Sequence, residues 1–175
     1  MPIAFIRSRC AIFLLPCLLA GVAHAQTATT GTINFTGSVT DVPCEIDTSA
    51  TSGTVNMAKV FANDFFGAGS SAGATDFKIV LKNCGLSTNG ATVRFTGTTD
   101  PTNPKTLATS GGAAGVALQL VDDTSTPIDV GSASKTYPIA PGSNTFNFKA
   151  RYIATADSVT GGGADATALF ALTYK

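Results

Sequence analysis

The feature that most constrains this chain is a period of two in its apolar residues. Phe77, Ile79 and Leu81 alternate with Lys78, Val80 and Lys82, and the run ends at Cys84. Val116, Leu118 and Leu120 alternate with Ala117, Gln119 and Val121. Phe146, Phe148, Ala150 and Tyr152 alternate with Asn147, Lys149 and Arg151. Ile33, Phe35, Gly37 and Val39 share one parity, Val93 and Phe95 flank Arg94, and Ala166, Ala168, Phe170, Leu172 and Tyr174 close the chain. Side chains in a strand point to opposite faces in turn, so each run reads as a half-buried strand. Between them lie turn-forming clusters: Gly67 to Ser71, Asp100 to Pro104, Gly111-Gly112 and Gly161-Gly162-Gly163. Val60 to Phe66 is expected to form a short helical turn that carries Phe61, Phe65 and Phe66 to the core. The pattern predicts an all-β, two-sheet sandwich of about seven to nine strands.

Residues 1–25 form a different kind of segment. Arg7 and Arg9 precede the apolar run Ala11 to Ala20, and Ala23-His24-Ala25 follows. A basic start, a short apolar middle and a small-x-small end describe a secretory signal peptide cut after Ala25. Removing 25 of 175 residues leaves a 150-residue chain, the size of one domain with its own core. Of 11 basic and 11 acidic residues, only Arg7 and Arg9 lie in the leader, so the mature chain is slightly acidic.

Function classes fall away on these counts. The only histidine, His24, leaves with the leader, and Glu45 is the only glutamate. A Ser-His-Asp or Cys-His pair and an imidazole metal site are excluded, and no spacing of aspartates suggests an acid–base pair. The chain is expected to be no enzyme, with no cofactor and no metal. No basic run exists to neutralise phosphates, which argues against nucleic acid. The glycine clusters open no helix and precede no Lys-Ser/Thr, so they are not phosphate loops. Asp122-Asp123 at a strand end reads as a turn cap. Cys44 and Cys84 are the only thiols beyond the leader, in a chain bound for an oxidising compartment, so a disulfide between them is the default.

The two ends are unusual. Asp165 to Tyr174 is strand-forming almost to the last residue, whereas termini are commonly frayed and polar. Gln26 to Thr40 carries no charge and places Gly31, Ile33, Phe35, Gly37 and Val39 on one face. Such a segment reads either as a first strand or as an extension that pairs elsewhere.

In sum the residues resemble the structural subunits of chaperone–usher fimbriae, the type 1-like pilins. The resemblance rests on Gly31 to Gly37 (GTINFTG) leading into Val42-Pro43-Cys44, on Phe77 to Cys84 (FKIVLKNC) and on Val93 to Gly97 (VRFTG). Gly115 to Leu120 (GVALQL), Asn147 to Thr155 (NFKARYIAT) and Ala166 to Tyr174 (ATALFALTY) complete it in order and spacing.

The resemblance implies an immunoglobulin-like sandwich lacking its final strand, completed by a donor strand. Residues 26–40 would be the donor-strand extension and residues 41–175 the pilin domain. Gly31, Ile33, Phe35, Gly37 and Val39 would insert into a neighbouring subunit. Phe170, Leu172 and Tyr174 would border the receiving groove and contact a periplasmic chaperone, and Cys44–Cys84 would staple the sandwich. Partners would be other pilin subunits, the chaperone and an outer-membrane usher, with the product a surface fimbria supporting adhesion. The alternative is a monomeric secreted sandwich that binds carbohydrate or protein; a coat or matrix protein of a related strand-exchange family is a third reading. The absence of Trp, and the placing of Tyr137, Tyr152 and Tyr174 in strands or at their edges, count against a sugar platform.

Overall fold

The computed structural model describes residues 32–37, 44–85 and 89–175. The chain divides into two units, Met1–Ser38 and Val39–Lys175. In the first, residues 32–37 belong to no strand, and Ile33 and Phe35 are 77% and 92% exposed. Gly31 and Val39 of the expected donor face, and the whole expected leader, lie outside the described residues.

The second unit is built of strands. They are β1 (Glu45–Ile46), β2 (Ser71–Cys84), β3 (Ala91–Thr96), β4 (Leu107–Ala108), β5 (Val116–Asp122), β6 (Pro127–Ile128), β7 (Gly142–Ala154) and β8 (Leu169–Tyr174). One sheet runs β1-β2-β7-β5-β4, with β6 also pairing β5, and the other pairs β3 with β8. All these ladders are antiparallel. A further stretch joins the free side of β3 through bridges of Arg94 with Ala133 and Ala91 with Tyr137. The architecture is the expected all-β, two-sheet one, and its long central pair β2–β7 is the one with the strongest alternation.

The core follows from the period. Ile79 and Leu81 of β2, Val93 and Phe95 of β3, Leu118 and Leu120 of β5, and Phe146, Phe148 and Ala150 of β7 all face inward and are buried. Phe77, Phe95, Phe148, Tyr137 and Phe146 form a chain of stacked and edge-on rings with centroids 4.7 to 6.0 Å apart. Aromatic pairs in these geometries contribute about 0.5–1.5 kcal/mol each beyond area burial. Cys44 and Cys84 are joined by a disulfide and both are buried, which fixes the start of the domain to the end of β2.

Three local expectations need correction. The helical turn exists as a single 3-10 turn, Ala62–Asp64, closed by the Phe61 N–H donating to Asp64 Oδ2 at 2.7 Å. Only Phe65 reaches the core, while Phe61 is 61% and Phe66 92% exposed. The backbone is extended at Phe65, and consecutive extended residues project to opposite sides, so Phe65 and Phe66 cannot both turn inward. Val80, placed by its period on the polar face, is buried there. The two glycine clusters are also not separate turns. Gly112 bridges Gly163, and a Cβ on Gly111 would lie 2.9 Å from the Gly163 backbone.

Asp122 does cap a turn. Its Oδ1 accepts from the Thr124 and Thr126 N–H groups, each at 2.8 Å, and from the Thr124 hydroxyl at 2.7 Å. Lys135 reaches both Asp122 and Asp123. Burial pushes the Asp122 carboxyl upward, yet the Thr124 and Thr126 hydrogen bonds and Lys135 outweigh it and hold the carboxyl below its ordinary range.

Candidate functional site

The sandwich is open along one side. There a groove of about 600 Å³ runs between two walls of backbone, residues 52–57 and residues 164–170. Its floor is the core itself: Phe77 and Ile79 of β2, Ala150 and Tyr152 of β7, Leu118 and Leu120 of β5, Leu107 of β4 and Phe95 of β3. Among the described residues Asp165 is the one charged residue lining it.

Both walls carry unsatisfied backbone. β8 pairs with β3 along one edge, and among the described residues its other edge makes no backbone hydrogen bond. Residues 53–57 make none either, although Ser52 N–H still donates to the Lys78 carbonyl of β2. An unpaired edge flanking an apolar floor is a template for an extended segment: main-chain groups pair with the walls and alternate side chains drop to the floor. The six residues of β8 offer an edge of about 20 Å at the rise of a strand.

The wall before β8 is held firmly. Ser110 and Asp165 exchange two backbone hydrogen bonds of 2.8 Å, and the Tyr152 hydroxyl donates to the Ala164 carbonyl at 3.0 Å. Gly97 lies against the wall so closely that a Cβ there would sit 2.6 Å from the Thr167 carbonyl oxygen and 2.6 Å from Leu107 Cδ2. Beyond Tyr152 and Ala164, which it shares with the groove, a smaller cavity of about 80 Å³ is lined by Val60, Phe65, Val116 and Val159.

Of the residues singled out from the sequence, Phe170 lines the groove. Leu172 and Tyr174 continue on the same side of β8, half-buried against the core, and lie outside the groove lining. Leu169, Ala171 and Thr173 take the opposite parity and are exposed. The Tyr174 hydroxyl is pushed upward in pKa by burial. Sequence reading missed the 52–57 wall, because Ser52-Gly53-Thr54-Val55-Asn56-Met57 has neither the period of a strand nor the cluster of a turn. It also missed Leu107 and Tyr152 as floor. Ala166 and Ala168, on the parity of Phe170, were the available signal for the other wall.

Comparison with known proteins places this architecture. Residues 33–175 match the family model described as fimbrial protein. A fimbrial subunit type 1 of Salmonella typhimurium is 34% identical over 153 residues, covering 83% of each chain. Among solved structures, a Burkholderia pseudomallei antigen and type I fimbria protein is 73% identical with a TM-score of 0.63. That match covers 85% of this chain and 100% of the other. A chaperone–usher pilus structure is 25% identical with a TM-score of 0.64, covering 87% and 100%.

Proposed function

The chain belongs to the fimbrial protein family, a family of structural pilus subunits and not of enzymes, and from that premise we propose that it polymerises by donor-strand exchange. The observation that carries the proposal is the groove: an apolar floor between two unpaired backbone edges. Strand addition to such an edge is an established mode of recognition, and donor-strand complementation of pilins is a known instance of it.

In this reading the extension of one subunit, with Gly31, Ile33, Phe35, Gly37 and Val39 on its inner face, fills the groove of the next. The exposure of Ile33 and Phe35 supports a segment built to bury those side chains elsewhere. Inserting three or four apolar groups gains about 1.5–3 kcal/mol each, less the cost of ordering the strand. Release would require reopening the sandwich, so the joint persists by slow unfolding. Before assembly the open groove is an aggregation hazard, which is the task of a periplasmic chaperone bound along β8 at Phe170, Leu172 and Tyr174. An outer-membrane usher then exchanges chaperone for subunit, and the fimbria emerges at the cell surface, where it supports adhesion.

The test is thermal unfolding of residues 26–175 and of residues 41–175, each with and without a synthetic peptide of residues 27–41. The reading expects the shorter chain to be unstable alone and to gain sharply in melting temperature with the peptide. A longer chain that is a stable monomer indifferent to the peptide overturns it.

A further inference from the structure

A thioether is a soft, apolar group that oxidation converts to a polar sulfoxide. The sequence holds four cysteines and two methionines. Cys44 and Cys84 are already joined, and Cys10, Cys17 and Met1 fall in residues 1–25, the expected leader. Met57 is then the one oxidisable sulfur of residues 26–175, with no other thioether to intercept an oxidant. Its position is what gives this consequence. Met57 stands in the 52–57 wall, lines the groove and packs against the core while remaining half-exposed. Among the described residues its own backbone makes no hydrogen bond to another strand's backbone, and the next tie is the Ala58 N–H donating to the Thr75 hydroxyl of β2 at 3.1 Å.

We propose that Met57 is an oxidation site that gates the groove, open to peroxide while the groove is empty and shielded once a strand fills it. The inference rests on the groove as the receiving site for a strand. The step is a simple oxygen transfer. The peroxide O–O bond breaks, an S–O bond forms, the sulfur gives up two electrons, and the peroxide is reduced to water. The product carries a strong hydrogen-bond acceptor on one wall of the groove that Phe77, Leu118 and Phe170 also line and that an incoming strand would cover. Covering an unpartnered acceptor there weakens strand binding by about tenfold or more. The same cover works in reverse, because an inserted strand takes the sulfur out of reach of solvent.

The experiment uses residues 26–175 and hydrogen peroxide, with intact mass to follow oxygen uptake. Assembly into detergent-resistant multimers, and binding of the 27–41 peptide, report on the groove. Met57→Leu, close in volume and without sulfur, is the control. The expected result has three parts: one oxygen taken up by the free subunit, uptake slowed at least about tenfold in assembled or peptide-bound chains, and oxidised subunit binding peptide about tenfold more weakly, with Met57→Leu unaffected by peroxide. Full oxidation without loss of binding, or equal uptake in filled and empty chains, overturns the Met57 proposal and leaves the groove reading standing. Absence of both multimers and peptide binding in the unoxidised chain overturns the groove reading, and this inference with it.

Discussion

The hydroxyl of Tyr152 donates a 3.0 Å hydrogen bond to the carbonyl of Ala164, so a side chain rising from the groove floor holds the groove wall in place. The same two residues separate the groove from the small cavity beyond it. Tyr152→Phe keeps the ring and removes the tie, and is expected to cost about 0.5–1.5 kcal/mol. Urea unfolding of the two proteins checks it. Peptide association should slow as well, because the strand would meet a wall that must first be ordered.

Gly97 is the second control on groove shape. A methyl group there would press on the Thr167 carbonyl and on Leu107 together, and neither backbone nor buried floor gives way easily. Gly97→Ala is expected to destabilise by about 1–3 kcal/mol. Its melting temperature and its binding of the 27–41 peptide should fall together.

The Cys44–Cys84 disulfide closes a loop with a sequence separation of 40. Chain entropy for such a loop corresponds to about 4 kcal/mol. Replacing both cysteines by alanine should lower the denaturation midpoint by a corresponding amount, and adding a reductant to the native chain should approach the same value.

At acid pH the turn at Asp122 should report. Its carboxyl ionises below the ordinary 3.8 in the folded chain, through the Thr124 and Thr126 hydrogen bonds and Lys135 prevailing over burial. A depressed carboxyl contributes stability that is complete above the unfolded value and is lost as pH falls through the folded one. Stability should therefore decline below about pH 4, and Asp122→Asn should flatten that decline while lowering stability at neutral pH.

At alkaline pH the signal is Tyr137. Among the described residues its buried hydroxyl has no hydrogen-bond partner, and burial, with Asp123 and Asp122 adding to it, pushes its ionisation well above the ordinary 10.0. The unfolded tyrosine ionises near 10.0 while the folded one stays neutral, so stability holds below that pH and falls above it. Tyr137→Phe should remove this part of the alkaline decline. Since it deletes an unpartnered donor, it should also gain up to about 1 kcal/mol at neutral pH.

The strands were legible wherever one face is wet and one is dry. Phe146, Phe148, Ala150 and Tyr152 are buried, with Asn147 exposed and Lys149 and Arg151 half-exposed, as the alternation requires. Phe170, Leu172 and Tyr174 keep their common side on β8. The signal fails where both faces are covered, as at Val80. It also fails where position depends on distant partners. Residues 52–57 become a wall only because Ser52 is tied to Lys78 and Phe77 and Ile79 lie beneath them. Gly111 and Gly163 find each other across more than fifty positions through backbone contact that no local pattern announces. Phe61 and Phe66 were read inward from hydrophobicity alone, and the extended backbone flanking their turn decided otherwise.

The disulfide has a mechanical meaning in a fibre of the proposed kind. Tension on a subunit would enter through its extension and reach Cys44, which directly precedes β1. There the covalent bridge hands it to Cys84, the last residue of β2. β2 is 14 residues long and lies antiparallel to the 13-residue β7 for most of that length. A pull along β2 therefore loads its ladder with β7 in shear, where many hydrogen bonds share the strain at once. Without the bridge, the same pull would fall first on β1, whose ladder with β2 is only two residue pairs long.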